Sequence, residues 1–261
     1  MNSQLTRIAV WCVIVVGAAT GLSAQTSEPP DTEAGGQQLP APFGIGVTLY
    51  SQTQDYNLAS LDLDVPGANL EVAESLPVDN RTDTYHLKFD YWVQPYLNLF
   101  ALAGRIETRT TVALGGVDLG LPFPLSDLVI DNDGWVYGGG VTLAVGYDDF
   151  FGTVTGYYTD ADLEVTTSSV EAWVVAPKVG YVVGKASLWV GAMYQDAEER
   201  HAGTYAIPFV GEVPFSVELN EAEHWNYQAG AVAGLTQHWM LTLEAGFGDR
   251  DSAQLSLDYR F

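Results

Sequence analysis

The chain has one cysteine in 261 residues, Cys12, so no disulfide can staple it. Positive charge is equally scarce, with 10 Lys+Arg against 33 Asp+Glu and a formal net charge of −23. Neutralising nucleic-acid phosphates needs clustered lysine and arginine, so nucleic acid is excluded as a partner. Long apolar runs are absent too. The one continuous stretch, Ile8 to Ala19, is short of the roughly 20 residues a helix needs to cross a bilayer. Helical periodicity is missing throughout the remainder. What is present is aromatic and small: 7 Trp, 14 Tyr, 10 Phe and 27 Gly. That content excludes a disordered acidic polymer, which cannot carry so much apolar surface.

Residues 1–24 read as a secretory signal peptide, with Arg7 as the basic end, an apolar middle, and small residues up to Ala24 before Gln25. Bulky Trp11 before Cys12 rules out a lipid-attachment box. Residues 25–42, rich in Pro, Gly, Gln and acid, read as a flexible periplasmic tail, with a short plug inside a barrel as the alternative.

From Phe43 the apolar period is two. Ten segments follow: 43–52, 82–93, 96–108, 135–147, 150–160, 170–182, 185–196, 225–235, 239–248 and 252–261. Each suits a strand tilted across a membrane, which takes about 9–11 residues. In the last, Leu255, Leu257, Tyr259 and Phe261 share one face and Gln254, Ser256, Asp258 and Arg260 the other. Tight turns at 94–95, 148–149, 183–184 and 236–238 alternate with longer connections at 53–81, 109–134, 161–169 and 197–224. Turn length fixes pairing parity. The turns at 148–149 and 183–184 demand a switch of outward face, and Phe150, Val154, Leu188 and Val190 supply it. The turn at 236–238 keeps parity, as Tyr227 and Trp239 require. Aromatics then sort into two belts, Tyr147, Phe150, Tyr181 and Trp239 at the short-turn end, and Trp135, Tyr137, Trp173, Trp225 and Tyr227 at the other. Interfacial girdles of a membrane barrel have this arrangement.

The leader, together with a C-terminal LSLDYRF in which Leu257, Tyr259 and Phe261 recur at two-residue steps, resembles the Gram-negative outer-membrane β-barrel class. The terminal motif looks like the signal read by the barrel-assembly machinery. The resemblance implies an all-β, transmembrane, antiparallel up-and-down barrel over 43–261, located in the outer membrane. Ten strands are expected, with eight or twelve as alternatives; twelve would follow if 53–81 held a further hairpin (LASLDLDV, then ANLEV). A monomer in contact with outer-membrane lipid is expected.

The inward positions carry His86, Lys88 and Asp90, Arg105 and Glu107, Lys178, Glu244, and Asp258 with Arg260. Such charges need partners or water, so they read as a salt-bridged polar network filling the lumen. On the third segment this parity turns Leu99 inward and Phe100 and Leu102 toward lipid. The acid surplus falls in the long connections. Asp160, Asp162 and Glu164, and Asp131 with Asp133, are the candidate oxygen ligands for Ca²⁺ or Mg²⁺, although neither run completes a calcium-loop pattern, and a solvated acidic surface is the competing reading. No other cofactor is expected. Catalysis would need histidine beside a carboxylate or a serine. His86 and His224 are the candidate members of such an array, His201 falls in a long connection and His238 in a short turn, and no serine sits at a matching height. The expected role is structural or surface-interacting. A narrow channel for small cationic solutes is the first alternative and an enzyme acting on lipid or peptide the second.

Overall fold

The computed structural model describes residues 41–65, 68–72, 76–114, 126–164, 168–207 and 210–261. Residues 1–24, expected to be a signal peptide, and all but the last two residues of the expected tail 25–42 lie outside the described residues. The elements are β1 (Phe43–Val65), β2 (Ala68–Val72), β3 (Val78–Gln94), β4 (Leu97–Val112), β5 (Leu128–Tyr147) and β6 (Phe150–Leu163). There follow β7 (Ser169–Val183), β8 (Ala186–Ile207), β9 (Gly211–Glu221), β10 (Trp225–Gly234), β11 (Trp239–Gly248) and β12 (Arg250–Arg260).

Ten of these strands close a ring in the order β1-β3-β4-β5-β6-β7-β8-β10-β11-β12 and back to β1. Every neighbouring pair is antiparallel. Closure pairs Gly44 with Arg260 and ends in two backbone bonds between Phe43 and Phe261, whose rings stack at 5.9 Å. A closed ring leaves no unpaired edge in the apolar zone, which is what a bilayer demands of strands.

The exterior of the ring is apolar. Ile45, Val47, Leu87, Phe89, Leu143, Val145, Val179, Val190 and Leu243 are all exposed. Aromatics border this band at both ends, Tyr147, Phe150 and Trp239 by the short turns and Trp135, Trp173, Trp225 and Tyr227 opposite. The short turns use backbone geometry suited to them: Asp148 stands at φ 50° and Gly184 at φ 61°.

The long connections differ from the sequence expectation. Much of what reads as loop continues as strand. β1 runs on through LASLDLDV and folds back as the β1–β2 hairpin, pairing Leu61 with Val72. That hairpin stands on the ring without enlarging it. β9 inserts between the upper halves of β8 and β1, pairing Glu199 with Leu219 and Leu61 with Val217. The extended sheet above the apolar band reverses polarity on unchanged faces. Inward side chains become Tyr56, Leu58, Leu61, Val112, Ile130, Val213, Val217 and Leu219, all buried. Outward ones become Asp62, Asp79, Arg109, Asp131, Glu198 and Glu218, all exposed. The alternation is fixed by the pleat, so only the surroundings decide which face must be apolar.

One strand corrects the sequence reading of the lumen. β4 turns Leu99 outward and Phe100 and Leu102 inward, so Arg105 and Glu107 lie on the outer face, not in the lumen. The cause is a bulge between Trp92 and Gln94. A two-residue turn switches parity, and one extra residue cancels the switch. Arg105 does not thereby enter hydrocarbon. It lies beside Trp135, 5.1 Å from the ring centroid, and pairs with Asp133 and with Glu164 at 2.8 Å.

Candidate functional site

Among the described residues, the lumen gathers chemically active side chains away from bulk water, and it is organised as nodes stacked along the barrel. Beside the short turns, Arg260 donates to Asp90 at 2.7 Å, and Asn98 donates to the same oxygen at 2.7 Å. Next to it Lys88 Nζ lies 3.0 Å from Asp258. Both carboxylates cross the floor of β1 at Gly44 and Gly46, where a Cβ would collide with them. Higher up, Lys178 donates to Glu244 at 2.7 Å while sitting 4.0 Å from the Trp189 ring centroid, and Gln228 donates to the other Glu244 oxygen. Trp189 has room because Gly230 faces it.

Two further nodes were not anticipated. Arg250 is 1% exposed and donates to Gln54, to Gln195 at 3.1 Å and to Glu221 at 3.0 Å. Above it, His201 and Glu199 are buried side by side, Nε2 to Oε2 at 3.1 Å. Asn132 Nδ2 lies 3.0 Å from His201 Nδ1. An amide donor there assigns the ring proton to Nε2, which donates to Glu199. Asn80 donates to both Glu199 oxygens and to Thr110. Apart from Gln195, in sequence these residues fall in apparent loops or turns. The missed signal is the period itself: Gln195, Glu199 and His201 stay in phase with inward-facing Met193 of the same strand.

The remaining candidates are dispersed. His86 and Lys88 line the lumen, whereas Arg105 and Glu107 face outward. Asp131 pairs with Arg109, and that hydrogen bond holds the Asp131 carboxyl below its usual range. Asp133 and Glu164 pair with Arg105. Asp160 and Asp162 stand exposed on β6. Three of the five candidate metal-binding carboxylates are thus engaged by arginine, and among the described residues no group of three His, Cys, Asp or Glu converges on a metal position. His224 bonds the Gln195 carbonyl at the outer mouth and His238 the Arg260 carbonyl in a short turn.

Between the nodes lies a cavity of about 400 Å³. It reaches from Trp92 and Asn98 near the short turns up to Tyr56, Ile106 and Glu199. Beyond Tyr56 the apolar cluster of the extended sheet begins.

No family model matches the chain, and no curated protein matches it. Among solved structures, the outer-membrane protease OmpT of Escherichia coli superposes with a TM-score of 0.50 at 7% identity, over 85% of this chain and 97% of that one. The fold is that of an outer-membrane β-barrel. The β domain of the Bordetella autotransporter BrkA gives a TM-score of 0.42 at 14% identity, over 85% and 100% of the two chains. OprG of Pseudomonas aeruginosa gives 0.40 at 14% identity, over 85% and 98%. The girdled apolar exterior of this barrel belongs in the outer membrane, with the nodes inside it and the extended sheet beyond it.

Proposed function

We propose that this barrel is a closed, non-conducting scaffold that holds an acidic sheet above the outer membrane for surface interaction. The observation that carries the reading is the apolar cluster across the lumen at the long-connection end. Leu61, Val112, Val217 and Leu219 are each 0% exposed there, and close packing of apolar side chains across a lumen disfavours the passage of hydrated ions. The nodes below reinforce it, since each buried base stands against a carboxylate. On the outside, the carboxylates of β1, β5, β8 and β9 outnumber the arginines that buttress them. Such a surface favours divalent cations, cationic partners, or lipid phosphates reached through bridging cations.

The native protein in planar bilayers is expected to be electrically silent, and cysteines at Asp64 and Lys185 to react oppositely with an impermeant maleimide on intact cells, only the first being labelled. Reproducible conductance steps would sink the closed-scaffold reading in favour of a channel for small solutes. Labelling at Lys185 instead would place the acidic sheet in the periplasm.

The C-terminal Leu257, Tyr259 and Phe261 are proposed to serve as the assembly signal, because they sit outward on the strand that closes the ring. Deleting Phe261 removes two closing backbone bonds and its stack on Phe43. The expected result is a several-fold loss of the heat-modifiable folded band in outer-membrane fractions; an unchanged yield would refute the assignment.

A further inference from the structure

The lumen of a membrane barrel is ordinarily polar on all sides. Here only part of it is. Phe100 and Leu102 of β4, Val136 of β5 and Val174 and Ala176 of β7 give one side of the cavity apolar side chains, with Thr155, Tyr157 and Thr159 of β6 among them. The lining from β1 and β3 is polar, with Thr48, Gln52, Thr84 and His86, while the ion-paired Lys88 stands in register with Leu102 and Lys178 lies two residues from Ala176 on β7. Phe100 and Tyr157 meet over Gly140, their centroids 6.1 Å apart, where a Cβ would strike both side chains. A cavity of about 400 Å³ lined by both apolar and polar side chains falls within the roughly 300–1,000 Å³ of small-molecule sites.

The polar groups indicate what would fit. The four lumen bases each have a carboxylate, and the remaining carboxylate, Glu199, is held by Asn80 and His201. A charged ligand would find no unmatched counter-charge and would lose its own hydration. Uncharged hydrogen-bonding capacity is left over. Trp92 Nε1 is buried with no acceptor, and the His86 ring and the Tyr157 hydroxyl also line the cavity. Each suits a neutral hydroxyl or carbonyl oxygen.

We propose that the lumen cavity binds a small uncharged amphipathic molecule, a flat apolar body bearing one hydroxyl or carbonyl, with the body against Phe100, Val174 and Ala176 and the oxygen toward Tyr157. This goes beyond the closed-scaffold reading and does not rest on it, because binding and conductance are measured separately.

The test uses the full-length mature barrel in lipid nanodiscs with 6-fluoro-2-naphthol as probe, followed by ¹⁹F NMR. A saturable bound signal is expected, displaced by unlabelled 2-naphthol and distinct from the signal of probe in empty nanodiscs. Ala176→Phe, which fills the cavity, should abolish it. Tyr157→Phe, which removes one hydroxyl, should weaken binding about five-fold, the effect of one neutral hydrogen bond. The anionic 6-hydroxy-2-naphthoate should bind at least ten-fold more weakly than 2-naphthol in competition. Partitioning without saturation, or a saturable signal retained in Ala176→Phe, would overturn the proposal. Should Ala176→Phe fail to give the heat-modifiable folded form, Tyr157→Phe decides, and unchanged affinity there overturns it. Equal affinity for the anionic compound would overturn the choice of an uncharged ligand.

Discussion

Arg250→Ala is expected to destabilise the barrel more than any other single charge removal, by about 3–5 kcal/mol, the cost of leaving one member of a buried pair behind. The guanidinium is shared among Gln54, Gln195 and Glu221, and both charged side chains are almost wholly enclosed, at 2% and 1%. Burial pushes the Glu221 carboxyl above its ordinary value even with Arg250 opposing it, aided by hydrogen bonds from Gln54 and Gln195. Without Arg250 that upward shift grows. A carboxyl raised in the folded state favours the protonated form there, so its relative stabilisation is complete below the unfolded pKa and is lost as pH rises through the folded pKa. The variant should therefore regain stability on acidification within the range bounded by those two values. Urea midpoints by the heat-modifiable band, at neutral and acidic pH, check both parts. The double variant Arg250→Met with Glu221→Gln should recover most of the loss, because it removes both charges together. A single Arg250→Ala that unfolds at the native midpoint would show that the node carries no net stability.

The second large effect concerns the outer closure. Leu61 and Leu219 are each 0% exposed and belong to one cluster contributed by β1, β3, β4, β5, β8 and β9. Leu61→Ser with Leu219→Ser places two hydroxyls in the apolar cluster and removes two large side chains. Each site should lose about 2–5 kcal/mol of local packing, by analogy with large-to-small core changes. The ten-strand ring below is held by its own ladder, so the expected result is a barrel that still inserts and migrates as a folded band but conducts. Cation preference is expected from the carboxylates outside. A folded double variant as silent as the native protein would mean that the nodes, not the apolar cluster, close the lumen.

Particular residues show what could be read in advance and what could not. The parity switch at Asp148–Asp149 is local: two residues of turn oblige Tyr147 to meet Phe150, and the pair does form. The turn after β3 has the same short length, yet the bulge at Trp92/Gln94 reverses its consequence and moves Arg105 and Glu107 from inside to outside. Nothing in that tripeptide announces an extra residue. The carboxylates Glu199 and Glu221 read as surface acid because they lie in acidic stretches. They are interior because β8 and β9 extend beyond the bilayer with their phase unbroken.

The sequence by itself determined the class of structure. A side-chain period of two, aromatic belts at both ends and alternating turn lengths are properties of neighbouring residues, and together they define a membrane barrel of ten strands. Tertiary structure alone decided which charges meet. Arg250 and Gln54 are 196 positions apart, and Asn80 and Glu199 are 119. Their contact depends on how ten tilted strands stagger as the sheet closes, a global quantity that no local pattern carries. The same closure turns one inward face polar within the bilayer and apolar above it, because the surroundings of a side chain, and not its place in the pleat, set the cost of leaving it unpaired.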